Sequence, residues 1–251
     1  MEQQYRLTSE SLNNQLKLSD SIRKKELNSN QIKEVALAIS AFHRDAKVMK
    51  GVFNVTGFQK QFEEINRCIG FTEEFLGFAK RDGIVESLKF SAKFLNKYRI
   101  FIQERTITGY MRNGHGNITA SNILMKHPPV IKICKKEKSA SQMDVLLDLS
   151  RLGVDLDYYN IHDLEYKLLN TYTKDFVEKN PEKAQDLYTY YKMFQVNKIL
   201  KKRIDAITKL SITKEWKLHT DRYFELLSQY MVKLRDKVDF DITKKVLKSN
   251  T

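Results

Sequence analysis

The amino-acid sequence predicts a mainly α-helical chain of α+β class, one helical domain carrying a small β-hairpin. Three observations point to it. Only three prolines and nine glycines interrupt 251 residues. Apolar residues recur at three- and four-residue spacing over most of the chain, the period of a helix with one buried face. The exception lies within residues 109–138, where β-branched residues flank a Pro-Pro turn that a helix cannot contain.

Each element follows from its own residues. SNQIKEVALAISAFHRDAKVMK sets Ile32, Val35, Ala36, Ile39, Phe42 and Ala46 at helical spacing, with Ser29 or Asn30 as the cap. A second run puts Phe62, Ile65, Ile69, Phe75, Leu76 and Ala79 on one stripe. A third, from about Glu86 to Gln103, does so with Leu88, Ala92, Leu95, Tyr98 and Ile102. HGNITASNILM and VIKIC, on either side of Pro128 and Pro129, predict two short strands joined by a turn. Helical period returns in MDVLLDLSRLGVDLD and IHDLEYKLLNTYTKDFV. Beyond Pro181, KAQDLYTYYKMFQVNKILKKRIDAI and EWKLHTDRYFELLSQYMVKLRDKV complete the set.

A composition 41% hydrophobic and 11% aromatic is that of a globular chain rather than a disordered one. The opening MEQQYRLTSES is polar, and no apolar run approaches the ~18 residues of a membrane span. Cys68 and Cys134 form no C-x-x-C pair, which argues against a disulfide framework. The expectation is a soluble, cytoplasmic chain without membrane contact. Lys+Arg 44 against Asp+Glu 31 gives a net charge of +13, which suits nucleic acid, a membrane surface or an anionic substrate. The lysines are spread along the helices, however, as on a solvated surface. Tyr188, Tyr190, Tyr191 and Phe194 alternate with Lys192, Lys198, Lys201, Lys202 and Arg203. At this spacing the aromatic face packs inside while the lysines stay wet, which disfavours nucleic acid. His43, His115, His127, His162 and His219 show no zinc-site spacing, so no metal site is expected from them.

Chemistry concentrates in GYMRNGHGNITASNILM, residues 109–125. His115-Gly116-Asn117 followed by Asn122 has the spacing H-G-x-x-x-x-x-N. In a phosphotransferase, an aspartate after the glycine accepts the proton of the attacking hydroxyl. An asparagine five positions on reaches a magnesium ion on the nucleotide phosphates.

The order of helix, H-G loop, short strand, N-I-L, turn, P-V strand and a helix bearing D-V-x-x-D-L resembles the aminoglycoside-phosphotransferase-like kinases. It is most similar to an uncharacterised bacterial branch of that superfamily. IKEVALAISAFHRDAK is similar to its helix ending in A-x-F-H, LYTYYKMFQVNKILKKRIDAI to its Y-x-x-Y-R-A-x-V-R-A-K helix, and RYFELLSQYM to its terminal helix. The resemblance implies a kinase-like helical C-terminal lobe over residues 1–251. Residues 1–28 would follow the hinge, 29–108 would be helical, 109–138 would hold the loop and hairpin, and 139–251 would be helical again. YRLTSESLNNQL matches the segment just past the hinge, so the resemblance also implies that the small N-terminal lobe is absent. No G-x-G-x-x-G occurs in the chain.

Three departures from the family pattern bear on activity. Asn117 stands where the catalytic aspartate belongs, and a neutral amide takes no proton near neutral pH. Lys132 and Ile133 occupy the strand where the metal-binding aspartate belongs, although magnesium requires hard oxygen ligands. The phosphate-covering lobe is the third. Thr119 also replaces a common loop histidine. Glu137 and Asp144 are the nearest carboxylates, but Asp144 and Asp148 match helix-start aspartates that backbone N–H groups satisfy.

The expectation is therefore a degenerate, pseudokinase-like lobe with no cofactor, acting through a protein partner or its own copies over the former N-lobe face. The alternative is a split phosphotransferase that takes ATP and magnesium with a lobe supplied in trans. A basic nucleic-acid-binding helical protein is the second alternative.

Overall fold

The computed structural model describes residues 16–49, 51, 54–132, 141–207 and 211–238. Ile133, Cys134, Glu137 and the segment 1–15, all singled out from the sequence, lie outside the described residues. Helices dominate the rest. They are α1 (Leu18–Arg23), α2 (Ser29–Asp45), α3 (Val55–Glu63), α4 (Ile69–Leu76), α5 (Phe78–Ile107), α6 (Val145–Tyr158), α7 (His162–Asp175), α8 (Pro181–Asp205) and α9 (Lys214–Leu234). Among the described residues four short strands lie between α5 and α6: β1 (Met111–Gly114), β2 (Ile123–Leu124), β3 (Val130–Ile131) and β4 (Ser141–Asp144).

The expected hairpin is present, with β2 antiparallel to β3 and the cis bond His127–Pro128 in the turn. A second ladder joins β1 to β4 antiparallel, with Met111 opposite Asp144. This corrects the sequence boundary, since 141–144 is strand rather than the start of a helix. The polar SQMD carries no β-branched signal, and its partner lies some thirty residues upstream.

Helix details also differ. Asn28, not Ser29 or Asn30, caps α2; its Oδ1 accepts from the backbone N–H of Asn30 and Gln31, and Gln31 Oε1 in turn accepts the Asn28 N–H. The helix ends at Asp45, leaving Ala46 extended. The stripe from Phe62 to Ala79 is not one helix, because a 3-10 turn over Glu64–Cys68 and a break at Gly77 divide it. In α5 Leu95, Tyr98 and Ile102 are buried as expected and Leu88 is partly buried against the core, while Ala92 is exposed and Phe90, Phe94 and Phe101 extend the buried face. The buried face is broader than expected because the phenylalanines hide more apolar area than Ala92 would.

A single hydrophobic cluster runs from Leu18 to Val238. In it α8 packs chiefly on α9 and α6, and α2 on α7. Phe94 stacks between Tyr98 and Tyr190 with ring centroids 4.2 and 4.3 Å away, and Phe58 stacks on Phe194 at 4.1 Å. The α8 aromatics Tyr188, Tyr190, Tyr191 and Phe194 are all buried, so none offers a face to a nucleic-acid base. One expectation fails on this helix. Lys192 is not a wet lysine but lies buried between Asp157 and Glu165, at 2.9 and 2.8 Å.

Cys68 is free and buried, and burial foremost, then the charge of Asp205, pushes its thiol up to about 11, away from the reactive thiolate. Among the described residues no helix is long and apolar enough to cross a membrane.

Candidate functional site

The loop between β1 and β2 is held from below by α6. Asp148, in the first turn of that helix and fully buried, accepts the backbone N–H of His115 at 2.5 Å and of Gly116 at 3.0 Å. His43, at the end of α2, approaches the same carboxylate through Nε2 at 3.3 Å and meets the Tyr172 hydroxyl through Nδ1 at 2.8 Å. A carboxylate only accepts, so His43 Nε2–H donates to Asp148 and its Nδ1 accepts a hydrogen bond from the Tyr172 O–H. His43 is thereby a structural strut from α2 and α7 to the loop.

Two glycines permit this approach. Gly116 has φ +81°, which places it in the left-handed region that side chains avoid. A Cβ on Gly114 would stand 2.8 Å from Asp148 Oδ2 and 2.7 Å from Met143 Cγ. Met143 can turn aside, but the buried Asp148 cannot. Gly114→Ala is expected to cost about 1–3 kcal/mol through overpacking. Chemical denaturation checks it, and an unchanged midpoint would show that the carboxylate does not sit against the strand.

The motif residues themselves meet. The backbone carbonyl of Lys132 accepts from His115 Nε2–H at 2.8 Å, and His115 Nδ1 accepts the Asn117 N–H at 3.2 Å. Both ring nitrogens are thus occupied within the loop. Asn122 Nδ2 donates to the Asn117 carbonyl at 3.0 Å, while its own carbonyl receives the Lys132 N–H at 2.8 Å. So His115, Asn117, Asn122 and Lys132 form one hydrogen-bonded unit, with Lys132 joined through its backbone.

Neighbouring carboxylates are committed to structure. Asp144 caps α6 by accepting the Leu146 N–H at 2.8 Å and forms a two-point pair with Arg105 at 2.6 and 2.9 Å. The third arm of Arg105 reaches Glu178 at 2.6 Å, and its guanidinium lies 4.1 Å from the Tyr110 ring centroid. Burial opposes the Arg105 charge, but Asp144 and Glu178 outweigh it and hold the group above the ordinary arginine range. Asp155 accepts the Ala120 N–H at 2.9 Å and pairs with Arg151. Among the described residues no three His, Cys, Asp or Glu side chains group as metal ligands.

Sequence reasoning placed Asp144 and Asp148 at the start of α6 correctly, but only Asp144 spends its carboxylate there. Asp148 serves the loop, a role that the D-V-x-x-D spacing alone leaves unspecified. Arg105 and Asp155 were missed. Neither carries a local signal, since Arg105 stands 39 residues from Asp144 and Asp155 stands 35 from Ala120. Compared with known proteins, the sequence matches no family model and no curated relative.

Proposed function

We propose that this chain is a kinase-like helical lobe whose acidic machinery has been replaced, and that it acts by binding a protein partner or its own copies. One observation carries the reading. Every described carboxylate bonded to the loop or to the start of α6 is spent on structure: Asp144 on Arg105, Asp148 on the backbone of His115 and Gly116, and Asp155 on Ala120 and Arg151. Asn117 and Asn122 stand at the positions that would do phosphotransfer, and the Asn122 side chain is spent on the backbone carbonyl of Asn117. A loop so arranged keeps its shape but offers no base to an attacking hydroxyl.

The large apolar side chains that remain exposed include Leu16, Leu37 and Val48 in the first fifty residues and Phe78, Ile100 and Ile107 on α5. Leu16 and Val48 flank the loop region, since Leu16 O accepts the Met125 N–H and Val48 bridges Arg112.

Thermal unfolding with ATP and magnesium tests the reading. A ligand at about 100 times its dissociation constant adds about 2.7 kcal/mol of stability. The expected result is no magnesium-dependent shift. A shift that Asn122→Ala abolishes would restore the phosphotransferase alternative, and light scattering behind size exclusion separates self-association from a monomer awaiting a partner.

A further inference from the structure

Two cavities open side by side along α8. The first, of about 520 Å³, lies against Gly116 and is walled by Phe58, Leu147, Tyr191 and Phe194. The second, of about 570 Å³, is walled by Arg67, Lys201, Lys202 and Asp205. They share Gln61 and Lys198, and both volumes fall within the range of small-molecule sites. The cause is helical spacing. Residues 191, 194, 195, 198 and 202 recur three or four apart, so α8 presents aromatic, amide and ammonium groups in sequence along one face.

The first cavity is bordered by four neutral amides, Asn54, Gln61, Gln142 and Gln195. Each amide offers both donors and an acceptor. Tyr191, whose hydroxyl is buried with no hydrogen-bond partner among the described residues, also lines this cavity.

Charge is unevenly balanced around this space. Arg67 is paired with Asp205, and Lys201 with Glu64. Asp144, the carboxylate lining the first cavity, is held by Arg105. Lys198 has no carboxylate partner among the described residues and rests 5.6 Å from the Phe194 ring centroid. Although Lys198 is exposed, protein packed beside its side chain, and then the charge of Lys201, hold its ammonium below the usual lysine range, with Glu64 opposing them. An oxyanion beside Lys198 would supply the missing countercharge.

We infer that the paired cavities bind a small organic oxyanion, a carboxylate or a phosphate ester, with its acid group against Lys198 and its body among the amides of the first cavity. The site needs no metal, and it stands whether or not the chain descends from phosphotransferases.

Limited acylation of the native protein with N-hydroxysuccinimidyl acetate, read residue by residue by mass spectrometry, tests it. The probes are glycerol phosphate and citrate, each with EDTA so that magnesium-nucleotide binding plays no part. A bound probe is expected to protect Lys198 saturably, leaving about a tenth of sites reactive at about ten times the dissociation constant. Lys174, exposed on α7, should react unchanged. Protection by one probe alone identifies which acid the site prefers. Gln61→Glu, a surface change that both cavities share, is expected to weaken protection about tenfold by placing a like charge beside the anion. Equal protection of Lys198 and Lys174, indifference to Gln61→Glu, or no protection by either probe overturns the assignment.

Discussion

Arg105→Ala is expected to destabilise the protein by about 3–5 kcal/mol, the usual loss when one partner of a buried ion pair is removed. Arg105 is 1% exposed and stands between Asp144 and Glu178, so its loss strands two carboxylates away from water. The damage extends beyond charge. Asp144 ends β4 and caps α6, and α6 carries Asp148, which holds the backbone of His115 and Gly116. Arg105 therefore sets the loop from a distance, through the start of the helix that supports it. Arg105→Lys should recover little, because an ammonium cannot make the two-point contact to Asp144 and still reach Glu178. Urea denaturation measures both variants. A loss below about 1 kcal/mol for the alanine variant would mean that water reaches the triad and that the buried geometry is wrong.

Lys192→Met is expected to cost a similar ~3–5 kcal/mol near neutral pH, with a distinctive dependence on acid. Lys192 lies between Asp157 and Glu165, and Asp157 also accepts the Tyr230 hydroxyl at 2.6 Å. Burial works against the Lys192 ammonium, but Glu165 and Asp157 overcome it and raise its pKa above the ordinary 10.5. A raised lysine contributes stability that is present below 10.5 and lost as pH climbs through the higher folded value. Asp157 is the mirror case. Burial would raise it, yet Lys192 foremost, then Tyr230 and His162, bring it below its usual 3.8. Its contribution is present above 3.8 and disappears as pH falls through the lowered value. With methionine at 192, burial prevails at Asp157, its pKa rises, and acid neutralises the stranded carboxylate instead of breaking a pair. The gap between variant and native protein should therefore narrow from about pH 7 to about pH 4. A gap that stays constant over that interval would remove Asp157 and Lys192 from electrical contact.

These buried ions mark where local sequence stops informing on structure. The buried face of α2 was legible because Ile32, Val35, Ala36 and Ile39 repeat at one period and one face takes all the packing. The face of α5 was legible in part, through Leu95, Tyr98 and Ile102. Phe94 was not picked out, because apolar residues occur on several sides and its stacking on Tyr190 is a contact from another helix. β4 was invisible, being a polar segment made into strand by its partner β1. At the loop, the spacing of His115, Asn117 and Asn122 was enough to expect that they act together, since they lie within eight residues of chain. The supports were not, because Asp148, Asp155 and Arg105 arrive from other helices. Lys192 reads as a surface lysine until its partners, 35 and 27 residues away, close round it.

The Arg105 triad also constrains how this chain can change over generations. Positions 105, 144 and 178 come from the end of one helix, the start of another and the turn after a third, yet none can drift alone without leaving a naked charge in the interior. A lineage can discard them only together, exchanging the trio for well-packed apolar residues. Until then, the loop that Asp148 holds keeps its shape through the demands of folding itself.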